Sequence, residues 1–163
     1  MRSEDFCSWL EGLDYSSVIR TSEWLFPTIE TVHVLALTIV AGSIAMLDLR
    51  LLGITSRDRS VSQVAADILP WTWSGFLLAA LSGFLMFSSA ATKYFADVPF
   101  RLKMLLLLIA GLNMAAFHGL TYHRVAEWDA AVTLPPAARL AGGLSLLLWI
   151  GIVFCGRWVG FTT

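Results

Sequence analysis

A histidine at position 33 and a glutamate three residues before it are the first residues in this chain with evident chemistry. Positions three apart share a helix face, so Glu30 and His33 form a carboxylate–imidazole pair. A neutral imidazole is the commonest metal ligand, and in a dry helical interior it suits haem iron. Further along stand Arg101 and Lys103, then Asn113 and His118, and finally Arg157. A haem carries two propionates, which guanidinium and ammonium groups pair with readily. His33 is therefore the candidate axial ligand with Glu30 beside it, and haem b is the implied cofactor. Arg101, Lys103 and Arg157 are candidate propionate partners, and His118 is a second candidate metal ligand.

Other chemistries find less in the residues. Glu30-x-x-His33 matches one element of a di-iron bundle, but that site needs the element twice plus two further carboxylates, and no second copy exists. There is no GxSxG, HExxH, P-loop or dinucleotide fingerprint. Cys7 and Cys155 form no CxxC or zinc spacing, which leaves Cys155 as a small apolar packing residue. The net charge is -1 without a basic run, so nucleic acid is not an expected partner.

These polar groups sit in an unusually apolar chain. Of 163 residues, 57% are hydrophobic and 14% charged, against roughly 25% charged in an average soluble domain. The apolar residues gather in four blocks, at about 24–52, 69–91, 100–122 and 138–161, each long enough to cross ~30 Å of hydrocarbon. The expected fold is all-α: one integral membrane domain over residues 1–163, built as a four-helix bundle. The first 22 residues carry Glu4, Asp5, Glu11 and Asp14 and read as an amphipathic segment, with Ser8, Trp9, Leu10 and Leu13 in a short interfacial helix. They do not read as a cleavable signal, which makes the first span an uncleaved membrane signal. Trp71 and Trp73 mark the expected entry of the second span.

Small residues recur within spans, as Ala41, Gly42 and Ser43, Ala79, Ala80, Ser82 and Gly83, and Gly142, Gly143 and Ser145. They allow close helix approach in lipid and leave room for a homo-oligomer. Four spans put both termini on one side, here side A. Side B holds Arg50, Arg57, Arg59, Arg124 and Arg139; side A holds Arg2, Arg20, Lys93, Arg101, Lys103 and Arg157. Assigning Arg101, Lys103 and Arg157 to a site makes side B cytoplasmic and the termini periplasmic, in a bacterial inner membrane.

Ionisable residues within spans are costly and by default functional, and they sort by height. Glu30, His33, Arg101, Lys103 and Arg157 fall toward side A, whereas Asp48, Arg50, His118, His123 and Arg139 fall toward side B. His33 and His118 differ in height by roughly 13 Å, so one iron is not expected between them. Asp48 and Arg50 read as a structural pair, His118 as a partner of Asp48 or Asn113, and His123 as a surface residue.

The run Glu30-Thr31-Val32-His33-Val34-Leu35-Ala36-Leu37, with Gly42 and Leu47-Asp48-Leu49-Arg50, resembles the first span of several small bacterial membrane families. Arg101-Leu102-Lys103-Met104-Leu105-Leu106-Leu107 resembles the opening of their third span. Overall the chain resembles a bacterial four-helix family of unknown function across nearly its whole length. More distantly it is similar to the HemJ-type protoporphyrinogen oxidases and the copper-resistance D membrane domain. The HemJ-type resemblance implies haem ligation by His33 and a role for Lys103. It departs at Arg101, where that pattern has histidine, and at His118, which lies about one turn beyond that pattern's later histidine.

The leading functional expectation is a b-type haem protein for electron transfer, or for oxidoreduction of a quinone or porphyrin-type substrate. Two alternatives remain open: a membrane transporter of copper or a small solute, and a structural or accessory membrane subunit. Met46, Met86, Met104 and Met114 form no paired ladder of the soft ligands that a copper(I) path would use.

Overall fold

The computed structural model describes residues 3–129 and 134–162, apart from the side chains of Ser3 and Glu4. Arg2 and positions 130–133 of the loop before the last span lie outside the described residues.

Ser22 begins the first long helix, accepting at its hydroxyl from the Trp24 and Leu25 amides (3.4 and 3.2 Å). Ahead of it, α1 (Ser3–Glu11) and α2 (Asp14–Thr21) form the N-terminal segment, and α3 (Leu25–Leu51) is the first span. Ser60 then closes a capping box with Gln63 to start α4 (Val61–Ser89). Asp97 caps α6 (Val98–Ala116), accepting from the Phe100 amide at 3.0 Å, after a short α5 (Ala91–Ala96). The last span is α8 (Pro136–Thr162), following α7 (Val125–Trp128). Within the spans, hydroxyls that find no water turn back on their own helix. Thr31 donates to the Pro27 carbonyl, Thr38 to Val34 and Ser74 to Pro70.

Four helices are long and apolar enough to cross a membrane, and among the described residues there is no strand. This is an integral membrane four-helix bundle. Leu35, Leu77, Leu108 and Leu147 are exposed on its outer surface, as a lipid-facing wall requires. Helix α3 is central: it packs along α4 on one side and α8 on another, and α8 packs along α6. Between α4 and α6 there is no comparable seam. They meet at the side-A end, where Phe87 stacks on Phe100 at 5.4 Å.

Glycine sets two of the close approaches. A Cβ at Gly75 would lie 3.1 Å from Val40 Cγ2 and 3.3 Å from the Ala36 carbonyl. One at Gly142 would lie 3.0 Å from Leu51 Cβ and 3.1 Å from the Asp48 carbonyl. Gly42, by contrast, has open space in front of it, so that small residue does not mark a helix seam.

The second span begins eight residues earlier than hydropathy places it. Val61, Val64, Ala65 and Ile68 are buried, a 3–4 spacing that forms one helix stripe. Val61 packs with Leu51, Phe117, Leu134 and Ala138 at the side-B end. Polar positions such as Gln63 and Asp67 lower the average hydropathy there without breaking the helix. Trp71 and Trp73 are both exposed, ten and twelve residues inside α4. Asp129 ties this start to the end of the third span: its backbone carbonyl accepts from Val61 N (3.4 Å), and its carboxylate accepts from Ser62 N (2.8 Å) and the Ser62 hydroxyl.

The N-terminal segment is two short helices docked on the side-A end. Cys7 and Leu10 are buried against Ala91, while Phe6 and Trp9 are exposed, their rings 5.8 Å apart and tilted by 33°. The Glu11 carboxylate accepts from the Thr92 amide (2.7 Å) and hydroxyl. Trp9 thus faces away from the bundle, where an interfacial indole is at home, and Leu10 faces inward.

Candidate functional site

His33 lies one third of the way along α3, half-buried, with its ring against α4. Its Nδ1 is 3.0 Å from the Ser82 hydroxyl. That hydroxyl has a single proton, and its oxygen stands 2.6 Å from the Leu78 carbonyl, a pure acceptor. With the proton committed there, the Ser82 oxygen accepts from His33 Nδ1–H. In the neutral imidazole this arrangement leaves the lone pair on Nε2, the tautomer that ligates metals. Gly83 makes room for the ring, since a Cβ there would be 2.9 Å from His33 Cε1. The Ala79 carbonyl adds a backbone acceptor to the same neighbourhood.

Lys103 of α6 enters this interior from across the bundle. It is close enough to His33 to interact with it electrostatically, and its Nζ passes 3.5 Å from the Cβ position of Gly156 on α8. Buried Cys155 lies nearby, in keeping with its expected packing role. His33, Ser82, Gly83 and Lys103 are therefore one cluster contributed by three helices.

The rest of the expected side-A group does not join it. Glu30 is exposed and makes no bond to His33. Arg157 is exposed, with its guanidinium 4.7 Å above the Phe161 ring. Arg101 is also exposed, and lines a cleft of about 530 Å³ with Cys7, Ser8, Thr92, Phe95 and Ala96. These three residues share the height of His33 but point elsewhere around their helices. As an expected propionate clamp, Arg101 and Arg157 are not assembled; Lys103 alone reaches the interior.

At side B the expected pairs also differ. His118 sits on a π turn (Phe117–Thr121), exposed, with Nδ1 3.0 Å from the Met114 carbonyl. It bonds neither Asp48 nor Asn113. Asn113 instead donates to the Ala141 carbonyl at 3.0 Å, joining α6 to α8. His118 is fifteen positions beyond Lys103, a rise of about 22 Å if the helix were regular. No single iron can be shared with His33. Among the described residues, no three His, Cys, Asp or Glu side chains gather as a metal cage.

Asp48 and Arg50 are both buried, at 4% and 3% exposure, yet are not paired. Arg50 Nε donates to the Arg59 carbonyl at 2.9 Å. The Ser145 side chain of α8 neighbours the Asp48 carboxyl, and Asp48 Oδ2 has no hydrogen-bond partner. In the sequence Ser82, Gly83 and Ser145 read only as packing residues; what they do beside His33 and Asp48 depends on the register between helices, which no local motif encodes.

Fold and site together define a small four-span membrane protein with polar groups set at two depths. The chain belongs to a family of unknown function, DUF6644, whose model matches residues 6–162. Comparison with curated proteins and with solved structures finds no match, and the expected similarity to HemJ-type oxidases and the copper-resistance D domain finds no support there.

Proposed function

We propose that this protein binds haem b through His33 Nε2 and acts in electron transfer, or in oxidoreduction of a quinone or porphyrin-type substrate. One observation carries the reading: the Ser82 hydroxyl, itself 2.6 Å from the Leu78 carbonyl, stands 3.0 Å from His33 Nδ1, an arrangement that favours the proton on Nδ1 and the lone pair on Nε2. Outer hydrogen bonds of this kind orient a ligating imidazole and raise its basicity. Gly83 fits the same purpose, because the ring occupies space that any side chain there would fill. Lys103 is the cation placed to neutralise a propionate or an anionic substrate. Haem, when bound, supplies a one-electron couple; the chain holds the ligand, excludes water and sets the local charge. Glu30, Arg101, Arg157 and His118 take no part in this site. The protein works in the bacterial inner membrane with both termini periplasmic, so that Arg50, Arg57, Arg59, Arg124 and Arg139 lie at the cytoplasmic end.

The test is an absorbance spectrum of gently purified protein, oxidised and then reduced with dithionite, after expression with added haem precursor. A Soret peak with sharp reduced bands, lost in His33→Ala and kept in His118→Ala, is the expected result. A colourless protein, or an unchanged spectrum in His33→Ala, overturns the assignment and returns the chain to the transporter or accessory-subunit reading.

A further inference from the structure

The side-B half of the bundle holds a buried acid that the haem reading does not use. Asp48 is 4% exposed, between α3 and α8, with the Gly142 backbone packed against its own. The Ser145 side chain lies beside the carboxyl, and Oδ2 is buried with no hydrogen-bond partner. A charged carboxylate with a naked oxygen in a membrane interior is strongly disfavoured unless something neutralises it.

The neighbours supply no counter-charge. Arg50, on the same helix, is turned to the Arg59 carbonyl. Arg59 itself pairs with Asp67 of α4. Arg139 of α8 and His118 beyond α6 are exposed, and no cationic side chain among the described residues lies within ion-pair distance of Asp48. A metal cation would call for several oxygen ligands, and among the described residues no three His, Cys, Asp or Glu side chains gather here. The smallest neutralising ligand is a proton, and it needs no further protein group.

We propose that Asp48 is an intramembrane proton-binding site, which exchanges its proton with water at the side-B face while the protein stays folded. The step is simple: the Oδ2–H bond breaks, the electron pair stays on the carboxylate, and the proton leaves to water; loading is the reverse. The neighbouring Ser145 hydroxyl can donate to the carboxylate and accept from the acid, so it is the polar group that senses both states. The site stands apart from the His33 cluster, at the other end of α3, so it does not depend on haem being bound.

The test is infrared spectroscopy of the full chain in lipid bilayers, in the carbonyl-stretch region of protonated carboxylic acids. One acid band should be present at low pH, absent from Asp48→Asn, and lost and regained reversibly as pH is cycled. Replacing sodium with a bulky organic cation should leave it unchanged. Ser145→Ala, which keeps the acid, should move the band, and serves if Asp48→Asn does not fold. The proposal is overturned if neither variant alters any acid band, if the band does not titrate in the folded protein, or if sodium at fixed pH removes it.

Discussion

Two adjacent glycines at the α3–α8 seam offer a sharp test of the packing. At Gly142 a new methyl would meet Leu51 Cβ at 3.0 Å and the Asp48 carbonyl at 3.1 Å. Both atoms are fixed to the α3 backbone, so no side-chain rotation relieves the contact. Carbon atoms prefer a separation of about 3.5–4.0 Å, so α8 must retreat from α3 by several tenths of an ångström along a tightly packed seam. Overpacking of this kind costs about 1–3 kcal/mol, and the better helix propensity of alanine returns at most about 1 kcal/mol. At Gly143 the same methyl meets only Leu52 Cδ2, at 3.6 Å, an ordinary contact with a flexible tip. Gly143→Ala therefore keeps the propensity gain with no clash. The two alanines, one residue apart, share the propensity gain, so they should differ by the overpacking cost of about 1–3 kcal/mol in reversible unfolding by SDS in mixed micelles, with Gly142→Ala the weaker. Equal stabilities, or a more stable Gly142→Ala, would refute the claim that α3 and α8 meet backbone to backbone at this point.

Gly83→Ala probes the side-A cluster. The obstructing atom, His33 Cε1, is the end of a side chain, so the ring should yield and lose its Ser82 bond, at a cost of about 1 kcal/mol. In haem-loaded protein the Soret band should shift or weaken, whereas an unaltered spectrum would mean that the ring does not lie where the structure puts it. Asp129 gives a pH prediction outside the membrane. Partial burial pushes its carboxyl up, but hydrogen bonds from the Ser62 side chain and amide, with Ser60 and Val61, outweigh this and hold it below the usual carboxylate range. A depressed folded-state value means its stabilisation is complete above the unfolded value near 3.9, and is lost as pH falls through the folded one. Asp129→Asn, which keeps an acceptor oxygen but loses the charge, should thus be less stable than the parent at neutral pH, by about 1 kcal/mol, the difference between charged and neutral hydrogen bonds. The gap should close in acid, and a gap constant with pH would refute the mechanism.

The fold was legible because four apolar blocks long enough to span a bilayer leave few other architectures, and the spans came within a few residues at most ends. The largest error, the start of α4, shows what hydropathy misses: Ser60 and the buried stripe from Val61 to Ile68 build helix from packing and capping while Gln63 and Asp67 lower the mean. The site was legible only in height. Arg101 and Lys103 enter α6 two residues apart, which places them about 200° apart around it, so only one can face the interior. The buried stripe of α8, Ile152, Cys155 and Val159, puts Arg157 on the opposite wall by the same rule. What no single helix could reveal is the partner on the next one: Ser82 and Gly83 acquire meaning only because α4 runs antiparallel to α3 at the register that brings them to His33. Asp48 follows the same logic from the other end. Two positions from Arg50, it cannot share a face with that residue, and the Gly142 seam that buries it is the seam that denies it a counter-charge.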